Sequence, residues 1–115
     1  MKKQWDIYTI AESAAGSRET GRPQDVVFLV ISSDAVNATF SHVTVLPLVS
    51  AGEDRDIYPN EARNEDMVVL GHQIRTLRHR DLAVRKGSIG DARVRSAVMQ
   101  ALSIQFGMRL ESDIE

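Results

Sequence analysis

The sequence contains no cysteine. A disulfide framework and a thiolate metal site are therefore excluded, and the composition fits a reducing compartment. Long apolar runs are also missing, since no stretch approaches the roughly 20 residues that a membrane-spanning helix needs. The opening Met-Lys-Lys is followed by Gln-Trp-Asp rather than by an apolar signal core. These absences predict a soluble, cytoplasmic protein.

Metal-binding patterns are missing as well. His42 and His79 have no partner at metal-ligand spacing, and the carboxylates of residues 53–66 lack the order of a calcium loop or a zinc-protease motif. The sequence therefore predicts neither a metal nor another cofactor.

What is present suffices for one small domain. A chain of 115 residues, 43% of them hydrophobic, supports one modest core but not two, so residues 1–115 are predicted to form a single domain. The net charge of −2 does not favour indiscriminate binding to polyanions. Basic residues are nevertheless concentrated in the last third, after an acidic segment. Either a mixed solvated surface or a local phosphate-binding face fits this pattern, and composition alone favours the first.

The apolar pattern is mainly that of β-structure. Strands are predicted over residues 4–10, 26–31, 42–49, 67–77 and 82–86. The continuous β-branched run of residues 26–31 is typical of a central strand buried on both faces. Pro47 cannot donate to a ladder, which places its strand at an edge or ends the strand there.

The segments between these strands are irregular. Residues 11–25 lose all periodicity and form a predicted long loop, a candidate lid or substrate-facing segment. Residues 32–41 read as a polar connection, and residues 51–66 as an acidic excursion with at most a short hairpin.

From Asp91 onward the apolar residues recur at three- and four-residue steps, which predicts one amphipathic helix. Either Ser88 or Asp91 is its expected N-cap, and Gly107 its C-cap. The predicted fold is mainly β (α+β), a small antiparallel barrel or half-barrel closed by one C-terminal helix.

The stretch of residues 67–77 places three chemically capable side chains in an apolar strand signal. Gly71 interrupts it, which predicts a bulge or a close backbone approach that re-aims His72, Gln73 and Arg75. His72 suits a general base, or else it satisfies a bulge carbonyl. Arg75 suits either a phosphate clamp or an ion pair across a dimer interface. Trp5 is predicted, with Tyr8, to be core rather than a base-stacking platform.

Four segments carry a resemblance to a known family. They are Gly16-Ser-Arg-Glu-Thr-Gly-Arg-Pro23, Pro47-Leu-Val-Ser50, Val68-Val-Leu-Gly-His-Gln-Ile-Arg-Thr76 and Ala101-Leu-Ser-Ile-Gln-Phe-Gly107. In this order and at these intervals they resemble the MazF/PemK toxins. Asp6-Ile-Tyr-Thr9, Asp56-Ile-Tyr-Pro59 and Phe106-Gly-Met108 are also similar to CcdB, the gyrase-poisoning branch of the same superfamily.

The resemblance implies a Src-homology-3-like barrel that forms a homodimer. It also implies a toxin neutralised by a partly disordered antitoxin protein, and metal-independent cleavage of single-stranded RNA. Such cleavage needs a base for the 2′-hydroxyl proton, a cation for the phosphorane charge and an acid for the leaving 5′-oxygen.

The same resemblance suggests the site residues. Arg22, in the family's Arg-Pro pair, would stabilise the phosphorane charge. Val49 stands where the family has a Thr and cannot form a hydrogen bond, so the hydroxyl of Ser50 would serve only if the turn rotates. His72, where some relatives carry an acidic residue, would handle the proton. The expected catalytic residues are Arg22, His72 and Ser50, and the expected substrate-binding residues are Arg75, Gln73 and Arg18.

Two alternatives to the ribonuclease remain open. One is a CcdB-like toxin that binds DNA gyrase through the end of its C-terminal helix, and the other is a catalytically inactive dimeric interaction or repressor domain. Val49 favours either of them. The Arg22-Pro23 pair and Gln73-Ile-Arg75 argue against the first.

Overall fold

The structure, a computed structural model, describes residues 2–11, 26–52 and 54–108. The elements of this part, in chain order, are β1 (Asp6–Ile10), β2 (Val27–Val30), α1 (Asp34–Thr39), β3 (His42–Ser50), β4 (Glu61–Asn64), β5 (Met67–Leu70), β6 (Arg75–Arg78), a 3-10 turn (His79–Asp81), β7 (Leu82–Ser88) and α2 (Ala92–Phe106). Neither helix of the described ranges is long and apolar enough to cross a membrane.

The seven strands form one antiparallel sheet in the order β4-β5-β3-β2-β1-β7, and β6 pairs with β3. The mainly β fold with a C-terminal helix is therefore confirmed. In the described part, β4 and β7 stand at opposite ends of the strand order and do not pair, so the sheet is open, as in the half-barrel alternative.

The predicted central strand is confirmed, because β2 pairs with both β1 and β3. Strand β3 alternates between two apolar clusters, since Leu46 and Leu48 enter one and Val43 and Val45 enter the other. Helix α2 contributes to the first cluster. Trp5 and Tyr8 are buried in these clusters, as the sequence predicts.

Residues 32–41 contain a helix, so their prediction as a polar connection was wrong. The hydroxyl of Ser33 caps α1 by accepting from the Val36 N–H at 3.2 Å. The one buried side chain of α1 is Asn37, whose amide donates to the Ser32 carbonyl at 3.0 Å. A six-residue helix anchored by a polar group carries no apolar stripe, so helical periodicity could not reveal it.

Pro47 lies inside a strand that is paired on both sides, so placing it at an edge or strand end was wrong. Thr44 directs its backbone groups toward β2, because its N–H donates to Ser32 and its carbonyl accepts from Ile31. Alternate residues of a strand face opposite neighbours. The ring nitrogen of Pro47 therefore points to the other side, where β5 has ended and β6 has not yet begun.

The interruption predicted at Gly71 separates β5 from β6. Leu48 is opposite Val69 and Val45 is opposite Arg75, so two residues of β3 face the five residues 70–74. The Gly71 N–H donates to the Asn60 carbonyl at 3.0 Å, and a Cβ on Gly71 would collide with that oxygen. The predicted close backbone approach is confirmed.

The ends of α2 also follow the sequence. Asp91 is the N-cap, and its carboxylate accepts from the Arg93 N–H at 2.8 Å. Gly107 ends the helix with φ 69°, a left-handed conformation that favours glycine. Within residues 51–66 the predicted short hairpin is found at the end, where a turn at Glu65 and Asp66 joins β4 to β5.

Candidate active-site pocket

An open pocket of about 740 Å³ lies between the β5-β6 turn, the end of β3 and the last turn of α2. Val49, His72 and Gln73, three positions that the sequence singled out, all line it. Arg55, Tyr58 and Glu61 line it as well. The break between β5 and β6 thus directs two polar side chains into the cavity that also holds Val49.

Arg55 and Glu61 form a two-pronged ion pair in this pocket. Nη1 of Arg55 lies 3.0 Å from Oε1 of Glu61, and Nη2 lies 3.2 Å from Oε2. The Glu61 side chain is 2% exposed and that of Arg55 36%. The Tyr58 N–H also donates to Oε1, at 3.0 Å. Glu61 is therefore a buried carboxylate that accepts three hydrogen bonds.

These contacts set the ionisation of Glu61. The hydrogen bonds from Arg55 lower its pKa most, and burial opposes them by disfavouring the charged form. The Tyr58 N–H and the positive charge of Arg55 lower the pKa further. The pocket therefore holds an ionised carboxylate at neutral pH, paired with a guanidinium that is partly exposed.

Sequence reasoning missed this pair. Arg55 lies in an irregular segment and Glu61, six residues later, begins β4, with no period that would bring their side chains together. The available signal was weak, a lone arginine between Asp54 and Asp56 in an acidic stretch.

His72 is exposed at the β5-β6 turn. Its Nε2 lies 3.2 Å from Nε2 of Gln73. An amide NH₂ group can only donate, so the contact suits a neutral ring whose Nε2 accepts. Within the described ranges this is the hydrogen bond of the ring, rather than a bond to a bulge carbonyl. The imidazole is thus oriented by Gln73 and accessible to a ligand.

The other predicted site residues lie elsewhere. Ser50 ends β3, is exposed, pairs with Met67 and does not line the pocket. Arg75 begins β6 outside the pocket lining, and its Cζ lies 5.1 Å from the centroid of the Phe28 ring. Arg18 and Arg22 lie outside the described residues, and their roles stay predictions.

The remaining pocket wall offers groups that suit a nucleotide. Tyr58 is 66% exposed, and the Asn60 amide donates to the Gln105 side-chain oxygen at 2.8 Å. An aromatic face and amide groups are what single-stranded RNA recognition uses. Among the described residues no group of three His, Asp or Glu side chains could hold a metal ion.

Several solved structures have similar folds. An endoribonuclease in complex with its cognate antitoxin, from a mycobacterial species, gives a TM-score of 0.75 at 17% identity, covering 96% of this chain and 99% of that chain. A MazE-MazF complex from Deinococcus radiodurans gives 0.69 at 22% identity, covering 94% and 97%. The Mycobacterium tuberculosis toxin MazF-mt6 gives 0.67 at 18%, covering 91% and 99%. At these identities the similarity is one of fold.

The sequence itself carries the family assignment. No curated protein matches the chain significantly. The profile of the PemK-like, MazF-like toxins of type II toxin-antitoxin systems, however, matches residues 3–106. The chain belongs to this toxin family.

Proposed function

We propose that the chain is an endoribonuclease toxin that cleaves single-stranded RNA without a metal ion, at the pocket between β5, β6 and α2. One observation carries the proposal: His72, Arg55 and Val49 line the same open cavity. An imidazole and a guanidinium are the groups that proton transfer and phosphorane stabilisation require. Family membership supports this reading, as does the fold shared with structures named endoribonucleases.

In this mechanism Nε2 of His72 removes the proton of the 2′-hydroxyl, whose oxygen then attacks the adjacent phosphorus. The P–O5′ bond breaks, which leaves a 2′,3′-cyclic phosphate, and the 5′-oxygen takes up a proton from water. Gln73 orients the imidazole in the unbound protein, and its amide must turn away from Nε2 before that nitrogen can accept the proton. The developing phosphorane charge needs a cation. Arg22 is the candidate from the family pattern, and Arg55 is the candidate from the pocket, where Glu61 holds its guanidinium in place. Val49 contributes no hydrogen bond, so a slow enzyme is expected.

The protein should act as a homodimer that an antitoxin protein neutralises. Two of the similar structures support this proposal, since they are named as an endoribonuclease in complex with its cognate antitoxin and as MazE-MazF. Exposed apolar side chains near the end of α2, among them Ile104 and Phe106, give this chain a surface for a protein partner.

The direct test is cleavage of a long single-stranded RNA in EDTA by purified protein free of antitoxin. Wild type should cleave, and His72→Ala should lose roughly 10²–10⁴ in single-turnover rate. His42→Ala is the matched control, because His42 is also exposed but lies outside the pocket lining. Melting temperatures verify that each variant is folded.

A comparison of Arg22→Ala with Arg55→Ala identifies the cation. Loss of the arginine that stabilises the phosphorane should lower the cleavage rate more than loss of the other. If the folded His72→Ala, Arg22→Ala and Arg55→Ala proteins all cleave RNA at the wild-type rate, the reaction does not take place in this pocket. A folded wild-type protein without cleavage would support the inactive alternative, which Val49 favours. The gyrase-binding alternative predicts instead that deleting residues 106–115 abolishes toxicity while circular dichroism of the sheet is unchanged.

A further inference from the structure

One short turn carries the aromatic residue of the pocket. Tyr58 is 66% exposed and lines the same cavity as His72 and Arg55. It lies in the turn of residues 58–61, which leads into β4 and which the Glu61 N–H closes by donating to the Tyr58 carbonyl at 2.9 Å. An aromatic ring that is left open to a polar cavity offers its face to a flat ligand.

Three further contacts hold this turn in place. The Tyr58 N–H donates to the buried Glu61 carboxylate at 3.0 Å, so the ends of the turn are joined twice. The Asn60 carbonyl accepts from the Gly71 N–H at 3.0 Å, which ties the turn to the break between β5 and β6. The Asn60 amide donates to the Gln105 side-chain oxygen at 2.8 Å, which ties it to α2. The backbone that carries the ring is therefore fixed before a ligand binds, and binding does not have to order it.

The contact between Asn60 and Gln105 leaves other hydrogen-bonding groups free. Among the described residues, Oδ1 of Asn60 and the NH₂ group of Gln105 have no further hydrogen-bond partner. Both residues line the pocket, so one acceptor and one donor are available there from two side chains in contact. Proteins recognise the bases of single-stranded RNA by this combination, in which an aromatic ring stacks on the base and polar groups bond to its edge.

We propose that Tyr58, Asn60 and Gln105 form a base subsite of the RNA pocket. The Tyr58 ring stacks on one nucleobase, and the two amides select that base by hydrogen bonds to its edge. The inference rests on the proposed function, and it adds the residues that make cleavage selective for a base beside the cleaved bond.

A second copy of the chain is the competing occupant of this surface. Tyr58 also borders the groove beside α2 that Ile57 and Ala97 line, where a partner subunit could cover the ring. The base is favoured because the ring and both amides share one cavity with His72 and Arg55. These are the groups that the proposed reaction places against the RNA backbone.

The stacking is tested by removing the ring and the base in turn. Cleavage sites of wild type are first mapped on a long RNA, and one site is made as a short fluorescent RNA with a 2′-O-methyl group at the cleaved nucleotide. Versions of this RNA each carry one abasic nucleotide, and anisotropy measures their binding. Wild type should bind one abasic version roughly tenfold more weakly than the complete RNA. Tyr58→Ala should bind the complete RNA roughly tenfold more weakly and lose no further affinity for that abasic version.

Two further variants are the controls for the ring. Tyr58→Phe keeps the aromatic face and should recover most of the affinity that Tyr58→Ala loses. Phe40→Ala removes a ring that is 61% exposed, close to the 66% of Tyr58, but that lies outside the pocket lining. It should bind both RNAs as wild type does.

The amides are tested by the base preference of cleavage. At the position that is sensitive to base removal, the mapped sites of wild type should favour one base. Asn60→Ala and Gln105→Ala should each reduce that preference severalfold and leave the preferences at other positions unchanged. Asn60→Ala keeps the carbonyl that contacts Gly71, and Gln105→Ala puts a good helix former at an exposed position of α2, so either variant decides if the other does not fold.

Three results would overturn the proposal while wild type still cleaves RNA, and they leave the proposed function intact. The first is a folded Tyr58→Ala protein with wild-type affinity for the complete RNA. The second is an unchanged base preference in the folded amide variants. The third is a loss in Tyr58→Ala that is the same for every abasic RNA and that accompanies a shift to monomer in sedimentation velocity, which assigns the ring to a contact between copies. Wild type that neither binds nor cleaves RNA contradicts the proposed function itself.

Discussion

Arg55 and Glu61 are joined by two hydrogen bonds, of 3.0 and 3.2 Å, between a partly exposed guanidinium and a buried carboxylate. The pair fixes the irregular segment that forms one wall of the candidate pocket. Arg63 extends the arrangement, because its guanidinium donates to the Arg55 carbonyl. The irregular segment that precedes β4 is thereby held in place by hydrogen bonds from charged side chains.

Glu61→Gln should destabilise the protein by about 1–3 kcal/mol at neutral pH, because an amide cannot replace the charged acceptor of three hydrogen bonds. The folded-state pKa of Glu61 lies below its ordinary value of 4.5. Its contribution is therefore present above pH 4.5 and is lost as the pH falls through the lower, folded pKa. In urea unfolding, the difference in free energy of unfolding between wild type and Glu61→Gln should be constant from about pH 7 to 5. Below pH 5 this difference should shrink. Asp66→Asn, at an exposed carboxylate, should show no such gap, and a pH-independent difference for Glu61→Gln would contradict the assignment.

Gly71→Ala should destabilise the protein by about 1–3 kcal/mol, because the new methyl group meets the Asn60 carbonyl and either the backbone shifts or the hydrogen bond breaks. Gly90→Ala is the matched control, since a Cβ there meets nothing within 4 Å. Thermal unfolding of both variants measures the difference. Equal melting temperatures would mean that the approach between Gly71 and Asn60 is not tight.

Val49→Thr should raise RNA cleavage if the pocket is catalytic. Removing one hydrogen-bond donor near a reacting centre typically costs about 10²–10³ in rate, and this substitution restores one at nearly constant volume. Val49 is half-buried and lines the pocket, so the new hydroxyl has access to water. Val49→Ala changes the side chain without adding a donor and should give no gain. Single-turnover cleavage rates in EDTA test this prediction. A folded Val49→Thr protein that cleaves RNA no faster than wild type would contradict the placement of the active site in this pocket.

A homodimer is expected at micromolar concentration, because a small sheet with one packed helix leaves apolar surface for a two-fold partner. Ile57 lies in a groove beside α2 that Ala97 also lines, and it is 43% exposed. Ile57→Asp should therefore shift the protein toward monomer in sedimentation velocity. Phe40→Asp is the control, since Phe40 is 61% exposed against 43% for Ile57 but lies at the end of α1. A wild-type monomer would contradict the prediction.

The local signals of the sequence were reliable where a single interaction sets the structure. The β-branched run at β2, the glycine at the end of α2 and the break at Gly71 all appear as predicted, because burial, a left-handed φ and a close backbone approach each restrict the residue types allowed. The same signals located His72 and Gln73, which flank that break. They also located Val49, through the family pattern.

The predictions that failed depended on what a neighbouring segment does. Pro47 is accommodated within β3 because the facing strand is interrupted, and α1 is held by a buried amide rather than an apolar stripe.

What the sequence determined by itself was the family, the mainly β fold with its C-terminal helix, and the residue types available for chemistry. Tertiary structure alone decided which of them meet. It brings Arg55 and Glu61 beside His72, and it places Arg75 over Phe28, away from the pocket lining. The reason is physical: strand and helix periods are encoded over a few residues, whereas the meeting of Arg55 and Glu61 with His72 depends on how β4 pairs with β5.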